Sequence, residues 1–302
     1  MSEQNGTAGG MIVVTGASGT LGRAVVERLL ERVPAERIGA SVRDPGRARD
    51  LAERGVRVRR GDFGDPESLA HAFEGASRVL VVSVDRLGED AVRLHRAAID
   101  AAKAAGAGRI FYTSHVGADP ASAFPPGRDH AATEAALRDS GVAHTSLRNG
   151  FYAATAAMQL TGALETGELA VPEDGPVDWT TQADLADATA VALTDGDLVE
   201  PILNLTGAEA IDMAGIAEIA SGLTGRPIRR VVVPDDEYRA GLVARGLREP
   251  QAAMFLTLFV AARRGAFARV DPTLGRLIGR PPTPLRDVLE AAASKATVSR
   301  SG

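Results

Sequence analysis

The sequence predicts the α/β fold class: a doubly wound parallel sheet with a smaller, mostly helical C-terminal lobe. Three observations carry that prediction. From Met11 to about Gly150, short β-branched runs alternate with longer stretches of helical periodicity, the order of a parallel sheet covered by helices. A glycine-rich turn joins the first apolar run to the first helical stretch. Beyond Gly150 the alternation weakens and helical patterns dominate.

The strands expected are Met11–Thr15, Ile38–Val42, Val56–Arg60, Val79–Val84, Ile110–Ser114 and Ala143–Arg148. Between them Leu21–Leu30, Pro45–Arg54, Pro66–Phe73, Glu89–Ala105 and Arg128–Ser140 space their apolar residues as helices do. Asp44-Pro45 and Asp65-Pro66 mark two helix starts, a capping carboxylate followed by a residue with no N–H to leave unsatisfied. Gly55, Gly75, Gly106 and Gly141 fall just past helix ends. In the second half, helices are expected over Ala156–Ala163, Ala183–Leu193, Met213–Leu223, Asp235–Ala244 and Glu249–Arg264, with strands at Leu203–Leu205 and Val231–Val233.

The implied division is a tail over 1–10, a nucleotide-binding domain over 11–150 whose sheet is completed by about 178–205, a smaller lobe from 151–177 and 206–290, and a C-terminal tail over 291–302. Composition narrows the function classes. A formal charge of −5 speaks against a nucleic-acid binder, which ordinarily presents a basic face to phosphates. With no cysteine, disulfides, thiolate catalysis and cysteine-ligated zinc are excluded, and the five histidines lack metal-ligand spacing, so no metal is expected. No apolar run approaches the roughly 20 residues of a membrane helix. Met1–Gly10 has neither the basic start nor the apolar stretch of a secretory signal, and a cytoplasmic location is expected.

The strongest local signal is Thr15-Gly16-Ala17-Ser18-Gly19-Thr20-Leu21-Gly22, placed after a strand and opening a helix. This is the context of a Rossmann-type phosphate loop in its G-x-x-G-x-x-G form. Gly16 permits the tight turn, Gly19 lets backbone approach a pyrophosphate, and Gly22 allows close helix–strand packing. Free amides and the helix dipole attract the anion, with Ser18 and Thr20 adding hydroxyls. Gly16, Ser18, Gly19, Thr20, Leu21 and Gly22 therefore form the expected cradle; the plainer reading is a glycine turn with no ligand.

An acidic group at the end of the second strand would select NAD by bonding the ribose hydroxyl. This chain has Ser41-Val42-Arg43 there. Arg43 can pair bidentately with a 2′-phosphate, and Ser41 removes the repulsion of a carboxylate, so the expected cofactor is NADP(H). Otherwise Arg43 pairs with a surface carboxylate such as Asp44, which is worth little. Asp62 and Phe63 are placed to hold the adenine edge, unless Asp62 serves as a buried cap.

Carbonyl reductases of the short-chain type use a Tyr four residues before a Lys, whose ammonium lowers the phenol pKa. Here Tyr112, Tyr152 and Tyr238 are followed at that spacing by Val116, Ala156 and Leu242, and Lys103 is preceded by Ile99. Ordinary alcohol–ketone chemistry loses support. Ser83 and Ser114, at the carboxyl ends of the fourth and fifth strands, should lie near a nicotinamide. Asn149 leaves the sixth strand at the same edge, Phe151 and Tyr152 follow it, and His130 opens a helix near where the usual Tyr would fall, making it a candidate proton donor. Each also has a structural alternative: loop support for Asn149, core packing for the aromatic pair, a helix N-terminal histidine for His130.

Taken together, Thr15–Gly22, Val42–Pro45, Gly61–Asp65, Tyr112–Ser114, His130–Glu134, Leu147–Tyr152 and Gly275–Thr283 resemble the NmrA-like atypical short-chain dehydrogenases, most of all their bacterial NADPH:quinone reductases. The likeness runs from Met11 to roughly Leu289. It implies NADPH along the carboxyl edge of the sheet and hydride transfer to a quinone-like or azo acceptor. Such an acceptor needs little protein-supplied acid, so proximity and orientation carry much of the acceleration. Where those relatives often have a Lys after the Thr-Glu pair, this chain has Ala135, so any role of that ammonium is absent. The apolar stretch Ala252–Val260 is placed to cover an acceptor pocket, to pack as an ordinary helix or to meet a second copy in a homodimer. Two other functions stay open: an NADP(H)-binding redox sensor without turnover, and an NAD-dependent sugar-nucleotide epimerase.

Overall fold

A computed structural model describes residues 10–298. The tails expected over 1–10 and 291–302 therefore lie outside the described residues, except for Gly10 and 291–298. The chain opens with β1 (Met11–Thr15), α1 (Thr20–Leu30), β2 (Ile38–Val42), α2 (Arg49–Glu53), β3 (Arg57–Arg60), α3 (Pro66–Phe73), β4 (Ala76–Val81), α4 (Glu89–Ala104), β5 (Arg109–His115), α5 (Pro125–Ser140) and β6 (His144–Asn149). The chain continues through β7 (Phe151–Tyr152), α6 (Ala153–Thr166), β8 (Glu168–Val171), β9 (Val177–Thr180), α7 (Gln182–Thr194), β10 (Ile202–Leu205) and β11 (Ala210–Ile211). It ends with α8 (Met213–Thr224), β12 (Arg229–Val232), α9 (Asp235–Ala244), α10 (Glu249–Ala262), α11 (Thr273–Ile278) and α12 (Leu285–Val298).

Seven strands form one parallel sheet in the order β3-β2-β1-β4-β5-β6-β10. Its central strands β1, β2 and β4 are buried on both faces and read as largely apolar runs, whereas the edge strand β3, Arg57–Arg60, is partly exposed and carries three arginines. In β1, alternate residues divide between the faces. Ile12 and Val14 pack with Val25 and Leu29 of α1 and Leu185 of α7, whereas Val13 packs with Phe73 of α3, Ile99 of α4 and Leu137 of α5. Burying each such side chain contributes roughly 1.5–3 kcal/mol, and these two layers fix the sheet that carries the site. A separate hydrophobic core, formed by later parts of the chain, includes Leu160, Trp179, Ile216, Tyr238, Phe259, Phe267 and Leu289.

The differences from the sequence reading have local causes. Beta-strand β4 ends at Val81 rather than Val84 because the next three amides leave the ladder for side chains. Val82 N–H donates to Thr15 Oγ1 (2.8 Å), Ser83 N–H to Thr113 Oγ1 (2.8 Å) and Val84 N–H to His95 Nε2 (3.0 Å). Helix α5 starts at Pro125, three residues early, since tandem Pro125-Pro126 occupies its first turn, where no N–H is missed. The stretch Pro45–Arg54 divides into a 3-10 turn over Pro45–Ala48 and the short α2, with non-helical backbone at Ala48. Of the segment expected to return to the parent sheet, only β10 does so as a strand. Trp179 lies instead in a small sheet of order β11-β9-β7, and β8 pairs with β12, so this part of the chain is less purely helical than expected. Residues 291–298, expected as tail, continue α12, with Ala293 against the separate core.

Among the described residues, no helix is long and apolar enough to cross a membrane.

Candidate active site

The strand order reverses between β1 and β4, and ligands of such sheets bind in the crevice beyond the carboxyl ends of the strands at that point. The Thr15–Gly22 turn lies at this point. Gly16 takes a φ of 61°, in the left-handed region. Gly19 donates its N–H to Gly16 O (2.9 Å), so its own amide closes the turn and does not face a ligand. A Cβ at Gly22 would lie 2.8 Å from Gly16 C and closer still to Gly16 O, which is the close packing expected of this position. The first helical hydrogen bond of α1 runs from Arg23 N–H to Gly19 O (2.9 Å), which leaves the amides of Thr20, Leu21 and Gly22 ahead of the ladder. No acidic residue occupies that first turn to oppose an anion. Gly16, Gly19 and Thr20 are exposed and Ser18 half-buried, while the Leu21 side chain is buried in the main core, so Leu21 can offer only its amide.

Arg43 is exposed at the end of β2 and makes no hydrogen bond or ion pair with the described residues. The alternative partner Asp44 instead caps the following turn, its Oδ1 accepting from Gly46 N–H (2.9 Å). Ser41 is buried against Gly61 with no partner for its hydroxyl, so it acts only by not being a carboxylate. Asp62 is half-buried and organises its own turn. Its N–H donates to Ser68 Oγ (2.9 Å) and its Oδ1 accepts from Gly64 N–H (2.9 Å). Phe63 beside it is half-buried against the α3–α4 core.

Next to the crevice is a cavity of about 730 Å³, within the size range of small-molecule sites. Ser83 and Leu87 from the loop after β4, Phe124, Pro126 and His130 from the start of α5, and Phe151 form part of its wall. Helix α10 closes another side with Gln251, Met254, Phe255 and Leu258. The stretch Ala252–Val260 thus presents one face to the cavity. Behind the wall, the Phe151 ring lies 4.9 Å from both His115 and Phe267, edge to face, and Phe124 lies 5.6 Å from Phe151. The result is a stiff aromatic surface suited to a flat apolar molecule.

One polar strip crosses this wall. His95 Nε2 accepts from Val84 N–H, its Nδ1 lies 2.9 Å from Thr133 Oγ1, and Thr133 donates to Asp129 O (2.9 Å). The Tyr112 hydroxyl lies 2.7 Å from His130 Nδ1. Burial lowers His95 and His115 to about 4 and holds His130 well below the ordinary imidazole range, helped by the neighbouring His115 and His95. Burial also raises the Tyr112 phenol. These rings are therefore neutral at pH 7.

Four residues after His130, where a Tyr-Lys enzyme has its lysine, the chain has Glu134. That carboxylate is buried, accepts from Ser114 Oγ (2.7 Å) and is held by Arg148 through Nε (2.9 Å) and a terminal nitrogen (2.6 Å). Ser114, expected at the nicotinamide end, is thus buried with its hydroxyl committed to Glu134. Asn149 is buried with an unpartnered Oδ1, and the Tyr152 phenol faces Asn149 and Gln182. Neither Asn149 nor Tyr152 lines the cavity. Of the expected catalytic residues, the structure brings His130 to it and sets Asn149 and Tyr152 together at the end of β6.

Asp178 had no signal in the sequence. It is fully buried on β9 with neither carboxyl oxygen in a hydrogen bond of ordinary geometry, and burial pushes it up to about 8, only partly offset by the nearby backbone amides of Phe151 and Asp178. The unpartnered hydroxyl of Thr180, two residues on, faces Gly150 beside it. Among the described residues, no cluster of three His, Cys, Asp or Glu could hold a metal ion.

The reversing parallel sheet, the glycine turn at its switch point and the adjoining cavity define a nucleotide-binding protein of the Rossmann class. A family model for the NmrA-like family matches residues 9–277, and the chain belongs to that family. It is 35% identical over 278 residues to quinone oxidoreductase 2 of Escherichia coli, covering 92% of this chain and 96% of that one. It is 32% identical over 286 residues to an NAD(P)H azoreductase of Xenophilus azovorans, covering 94% and 98%. Among solved structures, an Escherichia coli NADPH-dependent quinone oxidoreductase complexed with NADPH superposes with a TM-score of 0.88 at 35% identity, covering 93% of this chain and 99% of that one.

Proposed function

We propose that this protein is an NADPH-dependent oxidoreductase acting on quinone-like or azo acceptors in the cytoplasm. The observation that carries the reading is the juxtaposition of a built phosphate cradle and an aromatic-walled cavity at one edge of the sheet. The family membership and the two reductase relatives support it. NADPH fits the residues present: the amides of Thr20, Leu21 and Gly22 would hold the pyrophosphate, with the Ser18 and Thr20 hydroxyls as further donors. The unpaired Arg43 would take the 2′-phosphate. Asp62 and Phe63 would border the adenosine, and Ser83 lines the cavity beyond β4.

The cofactor, when bound, supplies hydride. What the chain supplies is placement: Phe124, Phe151, Met254 and Leu258 hold a flat acceptor, and orientation of this kind contributes several kcal/mol to a barrier, up to about 7–11 in ideal cases. His130 is the polar group of the wall nearest in character to an acceptor oxygen's needs. Asn149 and Tyr152 lie outside the wall, with the Tyr152 phenol facing Asn149 and Gln182. Following NADPH at 340 nm with a panel of quinones and azo dyes tests the reading. Turnover is expected; tight cofactor binding without oxidation would replace the enzyme by a redox sensor, and preference for NADH would remove the Arg43 argument.

A further inference from the structure

The hydrogen bonds of the polar strip assign proton positions, because each group has a fixed number of donors and acceptors. Val84 N–H occupies His95 Nε2, so the neutral His95 ring carries its proton on Nδ1 and donates it to Thr133 Oγ1. Thr133 in turn gives its only proton to Asp129 O. Tyr112 has one proton and two side-chain neighbours that could take it, His130 Nδ1 at 2.7 Å and the Thr133 hydroxyl. The imidazole nitrogen is a better acceptor than the Thr133 oxygen, which already receives the His95 proton. If Tyr112 donates to Nδ1, the neutral ring must carry its own proton on Nε2. That nitrogen takes no partner among the described residues and is not among the buried unpartnered atoms, so it opens on the cavity that His130 lines.

We propose that Tyr112 is a positioning residue that locks His130 in the Nε2–H tautomer, so that a neutral imidazole offers an N–H to the oxygen of an acceptor in the cavity. The inference rests on the reductase reading for its acceptor but not for its tautomer. It also changes the role of His130 from the proton donor expected from sequence. Releasing the Nε2 proton would require Nδ1 to take the Tyr112 proton and leave a phenolate in a fully buried position, which burial opposes. His130 therefore stabilises negative charge on the acceptor oxygen by hydrogen bonding, and the proton that completes reduction comes from water entering the cavity.

Long-range ¹H–¹⁵N correlation spectra of the full-length protein at neutral pH read the tautomer directly. The expected result is protonated Nε2 and unprotonated Nδ1 at His130, unchanged in Thr133→Val and displaced in Tyr112→Phe. With a quinone acceptor, Tyr112→Phe should lower kcat about tenfold, the equivalent of about 1.4 kcal/mol, with NADPH affinity unchanged. A purely structural Tyr112 would move melting temperature but not this split. Protonated Nδ1 in the wild-type protein overturns the inference even if quinones are reduced, as do ring signals and kcat unaltered in Tyr112→Phe. No quinone turnover with the expected tautomer would instead overturn the reductase reading.

Discussion

Replacing Asp178 by Asn should reshape the dependence of stability on pH. The carboxyl is fully buried with neither oxygen in a hydrogen bond of ordinary geometry, and its burial raises it from the ordinary carboxylate value to about 8. In the unfolded chain it ionises near 4, so between pH of about 4 and 8 the folded state holds one more proton than the unfolded state. Stability from this group is fully present below pH of about 4 and is lost as pH rises to about 8, at about 1.4 kcal/mol per unit. The total approaches about 6 kcal/mol, an upper figure because water reaching the site would lower it. The neutral histidines His95 and His115, held at about 4, have the opposite slope below their unfolded value of about 6.5, so the wild-type curve alone is ambiguous. The difference between wild type and Asp178→Asn isolates the carboxyl. Urea unfolding at pH 5, 6, 7 and 8 should give a variant that gains on the wild type by a few kcal/mol across the series. Parallel curves would refute the buried neutral acid.

Arg43→Ala should weaken NADPH by about 1.5–3 kcal/mol, roughly tenfold to a hundredfold, while NADH binding changes little; calorimetric titration of both cofactors checks this, and equal losses would contradict the assignment. Gly22→Ala puts a Cβ against the backbone of Gly16 and Thr15, which cannot give way without opening the turn. It should cost about 1–3 kcal/mol of stability and most of the NADPH-induced rise in melting temperature. A variant with wild-type melting behaviour, with and without cofactor, would show that this packing is dispensable.

The glycine turn and the position of Arg43 were legible because their determinants are local. Gly16 to Gly22 follow one strand and open one helix, and Arg43 ends the next strand, so a short stretch of sequence specifies each. The helix starts at Asp44-Pro45 and Asp65-Pro66 were readable for the same reason, both carboxylates accepting from the backbone of the following turn. The acceptor half is assembled from segments distant in sequence: Ser83, Phe124 to His130, Phe151 and Gln251 to Leu258 meet only in space. Spacing excluded a Tyr-Lys dyad at Tyr112, but no periodicity could say that Tyr112 would pair with His130, or that Glu134 would hold Ser114 and Arg148. Asp178 sits in a stretch that looks like an ordinary turn and strand, and its environment exists only once β7 and β9 pair.

The central claim is that hydride passes from the cofactor to an acceptor lying in the cavity beside Ser83, His130 and Phe151. A crystal structure with NADP⁺ and a quinone tests it most directly. The account predicts the quinone ring against Phe151 and Leu258, its carbon about 3–3.5 Å from nicotinamide C4 and one oxygen facing His130 Nε2. A quinone bound elsewhere, or a nicotinamide turned away from this cavity, would contradict it.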